Sequence, residues 1–185
     1  MAGSSGDGFV GLVGNPRAGS RTTRLTAQVL DAVRDRLAPG SDEPGTLIDL
    51  AALVETQGPP LGANSQARYA DQLALAASAR LLVVATPVYK GSYTGLLKAF
   101  LDHVPAGAWR DVVAVPVITV SAPGHTLAAD LHLRPLLLEL GASTPTAALV
   151  VQEKDLAEPA EAIKTWLDGA GPVLARSLGL RQLVA

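Results

Sequence analysis

The sequence predicts an α/β fold: a three-layer sandwich around a five-stranded parallel sheet. Five short apolar runs alternate with five segments of helical periodicity along the 185 residues. The runs are continuously apolar, as strands covered on both faces require. Loops rich in Gly and polar residues follow the runs, where open parallel sheets place their ligands. Right-handed crossovers then set helices on both faces, and five strands are too few for an eight-stranded barrel.

FVGLV (Phe9 to Val13) reads as the first strand. The helix after it carries Leu25, Val29, Leu30, Val33 and Leu37 at helical spacing. Pro39 to Gly45 is a loop by composition, and TLIDL (Thr46 to Leu50) a short second strand. A long connection through Gly58, Pro59, Pro60 and Gly62 leads to an Ala- and Leu-rich helix over Gln66 to Arg80. LLVVAT (Leu81 to Thr86) is the clearest buried strand, and Leu96 to His103 the helix that follows its loop. VVAVPVITV (Val112 to Val120) reads as the fourth strand, with Pro116 weakening the ladder or marking a bulge. A helix over Leu127 to Leu140 stops at Gly141, PTAALVV (Pro145 to Val151) is the fifth strand, and Pro159 to Leu178 the last helix. Gly169, Gly171 and Pro172 are expected to kink or divide that helix.

Composition narrows the function. The chain is 48% hydrophobic, 17% charged and formally −2, so neither a nucleic-acid surface nor an acidic tail is expected. So much Ala, Leu and Val with so little charge favours a homo-oligomer. Cysteine is absent, which excludes disulfides, thiolate metal sites and a Cys nucleophile. No apolar run approaches the roughly 18 residues of a membrane span, and MAGSSGDG lacks the features of a signal peptide. Residues 1–8 are expected to be a flexible N-terminus, 9–185 one domain, and the protein cytoplasmic.

Two loops carry the chemistry. Gly14 to Leu25, GNPRAGSRTTRL, joins a strand to a helix N-terminus, where free N–H groups and the helix dipole favour an anion. Arg17, Ser20, Arg21, Thr22 and Thr23 add donors. Gly14 and Gly19 have the spacing of a P-loop, but Ser20 and Arg21 stand where Lys and Ser/Thr belong, and no G-x-G-x-x-G fingerprint is present. A terminal phosphate seated without a metal is the remaining reading, against an ordinary capped turn. In TPVYKGSYTG (Thr86 to Gly95), Gly91 lets the backbone approach a ligand, and Tyr89 and Tyr93 offer flat surfaces. Their alternative role is to cover a helix end.

GNPRAGSRTTRL is similar to the G-S-P-R-x-x-S-R-T-x-x-L phosphate loop of the flavodoxin-like NADPH-dependent FMN reductases. ATPVYKGSYTGLLKAFLD resembles their second signature, P-V-Y-K-x-S-Y-x-G-x-L-K-x-x-L-D. The likeness extends more weakly through HTLAADLHLRPLL and is nearest to the reductases that feed reduced FMN to alkanesulfonate monooxygenases. The resemblance implies a flavodoxin-like fold of strand order 2-1-3-4-5, with FMN at the carboxyl edge and NADPH as hydride donor. Asn15, Arg17, Ser20, Arg21 and Thr22 would surround the phosphate, with Asn15 in place of the usual Ser. Pro87, Val88, Tyr89, Lys90, Ser92 and Tyr93 would border the flavin ring and ribityl chain.

Two departures stand out. Val120 and Ser121 occupy the place of a Gly-Gly pair beside the ring, so their side chains are expected to intrude and loosen FMN. Leu131 stands where some alkanesulfonate-type reductases carry a Tyr, at a bulged turn in a tetramer interface. No metal site or Ser-His-Asp arrangement can be argued from His103, His125 and His132. The resemblance therefore implies an NAD(P)H:FMN oxidoreductase, a homodimer or homotetramer, serving a flavin-dependent monooxygenase and needing no catalytic acid or base. The competing readings are a reductase that keeps FMN bound and reduces quinones, azo dyes or nitro compounds, and a flavodoxin-like binding subunit without catalysis.

Overall fold

A computed structural model describes residues 8–41 and 44–180. The expected flexible N-terminus lies, except for Gly8, outside the described residues. Five parallel strands form one sheet: β1 (Phe9–Val13), β2 (Thr46–Asp49), β3 (Leu81–Pro87), β4 (Val113–Val120) and β5 (Leu149–Gln152). Their order is β2-β1-β3-β4-β5, the flavodoxin-like order. Helices α1 (Arg21–Leu37), α2 (Leu50–Gln57), α3 (Ser65–Arg68), α4 (Ala70–Ser78), α5 (Gly95–Leu101), α6 (Arg134–Glu139) and α7 (Ala160–Ser177) cover it.

Strand alternation separates two cores. Leu81, Val83 and Ala85 of β3 pack with Leu25, Val29 and Val33 of α1 and Ile163, Leu167 and Leu174 of α7. Leu82 and Val84 point the other way, to Tyr69, Leu97, Phe100, Trp109, Leu133 and Leu137. Tyr69 and Phe100 meet edge to face, with centroids 5.8 Å apart.

Several expected elements change in detail. Part of the long connection after β2 is helical: Asp49 caps α2 through Ala51 N (3.1 Å), and Gly58 ends it at φ 76°. The helix over Gln66 to Arg80 is broken at Tyr69, whose buried ring donates its hydroxyl proton to Gly58 O at 2.6 Å. Arg68, on Pro59 O and Leu61 O, and His103, on Pro60 O, fasten the same connection. Burial also pushes the Tyr69 phenol above its usual pKa, which favours the protonated donor.

The helix expected over Leu127 to Leu140 is a π turn (Ala129–Leu133) leading into α6. A regular helix would press the ring of Pro135 against the carbonyl of Leu131, and the wider turn relieves that clash. The fifth strand starts four residues later than expected, at Leu149. The carbonyls of Thr144 and Thr146 go instead to the Arg134 guanidinium, at 2.8 and 2.9 Å. That detour explains Pro116. Ala114 N donates toward Ser143, so the position of Pro116, two residues on, faces the detour, where no ladder partner needs an N–H.

Helix α7 is not divided; Gly169, Gly171 and Pro172 all lie within it. Gly169 is exposed, and an added Cβ there meets nothing within 4 Å. Gly169→Ala is expected to stabilise the fold by about 0.5–1 kcal/mol through helix propensity. A urea midpoint that fails to rise would contradict this.

Candidate functional site

The strand order reverses at β1, whose neighbours β2 and β3 lie on opposite sides, so the loops leaving β1 and β3 diverge and open a crevice at the carboxyl edge. Thr94, the N-cap of α5, ties those loops together. It is 3% exposed, accepts from Leu97 N at 3.2 Å, and donates in a short hydrogen bond to Gly14 O. Gly14 permits this close approach: a Cβ on it would lie 2.6 Å from Leu97 Cβ.

The loop after β1 is held by its own side chains. Buried Asn15 donates to Thr22 Oγ1 (3.0 Å) and accepts from Arg17 N (2.9 Å). Ser20 caps α1 through Thr23 N at 3.2 Å. Asp49 Oδ2, at the end of β2, accepts from Gly19 N (3.1 Å) and Thr23 Oγ1 (2.9 Å). The N–H groups of Arg21 and Thr22 find no acceptor, and the Arg17 guanidinium no partner, among the described residues.

After β3 the chain makes a tight hairpin. Tyr89 and Ser92 exchange backbone hydrogen bonds of 2.8 and 3.2 Å, with Lys90 and Gly91 at φ 53° and 84° between them. Two positive φ angles in a two-residue loop are the mark of a type I′ turn, and Gly supplies one at no steric cost.

A cleft of about 200 Å³ opens between these loops. It is lined by Asn15, Arg17, Ser20, Arg21, Thr22, Pro87 and Tyr89, with Thr119 of β4, Glu153 and Leu156. All five residues expected around a phosphate are therefore brought together. Of those expected beside the ring, Pro87 and Tyr89 line the cleft. Val88 is buried, Tyr93 lies against the core, and Lys90 and Ser92 form the hairpin. Val120 is fully buried, in the same core cluster as Ala128, Ala129 and Leu133. Ser121 is exposed after the strand end.

Asp49, Thr119 and Glu153 were not among the expected residues. Each stands at or directly after the carboxyl end of a strand, and that position is the sequence signal for them. No comparable signal marks Leu156. Two larger depressions, about 520 Å³ beside Trp166 and about 430 Å³ between α1 and α7, are mostly apolar and have no such set of donors.

Free N–H groups, hydroxyls and an unpaired guanidinium suit a phosphate monoester. The cleft is smaller than the roughly 300–1,000 Å³ of a complete small-molecule site, so it suits the phosphate end of a longer ligand. The family model described as NADPH-dependent FMN reductase matches residues 9–155. The chain belongs to this family.

As a member, it is an oxidoreductase of the NAD(P)H-dependent FMN reductase type, a family that works with FMN and a nicotinamide coenzyme. It is 32% identical to NADH-dependent FMN reductase SfnE of Pseudomonas putida, over 80% of this chain and 78% of that protein. It is 36% identical to an FMN reductase (NADPH) of Pseudomonas aeruginosa, over 79% and 77% of the two chains. Among solved structures, apo NADH:FMN oxidoreductase (EMOB) superposes with a TM-score of 0.70 at 29% identity, covering 94% of this chain and 90% of that one.

Proposed function

We propose that the chain transfers a hydride from NADPH to FMN and supplies the reduced flavin to a partner flavin-dependent monooxygenase. The observation that carries this reading is the unpaired Arg17 beside the free N–H groups of α1, in a cleft bordered by the Tyr89 hairpin. Arg17, Arg21, Ser20 and Thr22 hold the phosphate, while Asn15 positions the loop through its hydrogen bonds. Pro87, Val88, Tyr89, Lys90, Ser92 and Tyr93 form the wall along the ring and ribityl chain, and Ser121 borders it from just beyond β4.

Bound FMN supplies the hydride-accepting chemistry. The protein contributes alignment and exclusion of water, and no side chain is required as a general acid or base. The partner is inferred from SfnE-type relatives, and the choice of NADPH follows the loop resemblance and the NADPH-dependent relatives. We further propose a homodimer or homotetramer joined through exposed Leu127, Leu131 and Leu138, and a cytoplasmic location, where both coenzymes are found.

NADPH oxidation measured with and without added FMN tests the reading. Oxidation is expected only when FMN is added. A purified protein that oxidises no NADPH with FMN present, yet passes electrons to a quinone through retained flavin, would overturn it.

A further inference from the structure

Glu153 follows β5 directly and opens a single 3-10 turn (Glu153–Asp155) facing the phosphate loop across the cleft. Arg21 Nη2 donates to its carboxylate Oε2, and Nη1 to its main-chain oxygen, both at 3.3 Å. One residue thus holds the Arg21 guanidinium at two points.

Everything else polar around the seat favours an anion, so a carboxylate there is anomalous. Asp49 is not comparable, because its oxygens are engaged by Gly19, Thr23 and Ala51. The Glu153 carboxylate has no hydrogen-bond partner among the described residues other than Arg21. The two side chains are 51% and 49% exposed, and ion pairs so exposed contribute little to holding a fold together.

A phosphate monoester presents more charge and more acceptor oxygens to a guanidinium than a carboxylate does. It can therefore take Arg21 from Glu153. We propose that Glu153 sets the affinity of the site: it competes with the ligand's phosphate for Arg21 and keeps flavin mononucleotide exchangeable. This rests on the FMN reading above and adds to it a reason for the flavin to pass through as a substrate.

The test is fluorescence-quenching titration of the full chain, wild type and Glu153→Gln, with FMN and with riboflavin, which lacks the phosphate. Glu153→Gln is expected to bind FMN about two- to fivefold more tightly, in the range of a single exposed charge interaction. Riboflavin affinity should stay constant, and the gain for FMN should shrink as salt is added. In an Arg21→Gln background most of the gain should disappear. Unchanged or weaker FMN binding by Glu153→Gln, an equal gain for riboflavin, or a full gain without Arg21 would each overturn the proposal. A wild-type chain that binds no FMN would instead overturn the functional reading itself.

Discussion

Arg17→Ala is expected to weaken FMN binding about ten- to thirtyfold and to leave riboflavin binding unchanged, the loss of one charge-assisted hydrogen bond to a phosphate. Arg17 differs from Arg21 in having no protein partner to give up among the described residues, so its whole contribution reaches the ligand. Its backbone N–H is fixed on Asn15 Oδ1 at 2.9 Å, which limits how far the side chain can wander. Arg17→Lys should recover part of the affinity, since it restores charge without the planar fork. Fluorescence quenching measures both ligands. An equal loss for FMN and riboflavin would mean that the loop does not hold a phosphate.

The second large effect concerns the junction beneath the cleft. Thr94→Val is expected to cost about 2–4 kcal/mol, from a lost helix cap and a buried carbonyl left without its donor. The valine keeps the shape of the threonine and removes only the hydroxyl that joins Gly14 O to the start of α5. Urea unfolding should show a lower midpoint with an unchanged slope, and Thr94→Ser should stay near wild type. A midpoint equal to wild type in Thr94→Val would show that the junction is held by packing of Leu97 against Gly14.

The sheet was legible because its strands are buried on both faces and so read as unbroken apolar runs; β1 and β3 match their expected spans to within a residue. The gathering of Asn15, Arg17, Ser20, Arg21 and Thr22 at one cleft was legible for a different reason, since these polar residues are close in sequence. What escaped depends on contacts between distant segments. Nothing local in Pro145 to Ala148 reveals that Arg134 draws off the carbonyls of Thr144 and Thr146 and so delays β5. For Val120 a motif alignment gives a position but not a facing, and strand parity sends its side chain into the core. Glu153 was overlooked because it lies 132 positions from the arginine it meets.

Asp49 joins two parts of the molecule that differ in exposure. One carboxylate oxygen starts α2, and the other secures Gly19 and Thr23 of the loop after β1. Yet Asp49 closes β2, a four-residue strand at the rim of the sheet with β1 as its single neighbour. Rim strands open by local fluctuation far more readily than central ones. The order of the loop after β1 is therefore borrowed from one of the shortest strands in the fold, and each opening of that rim releases the loop without unfolding the helix behind it.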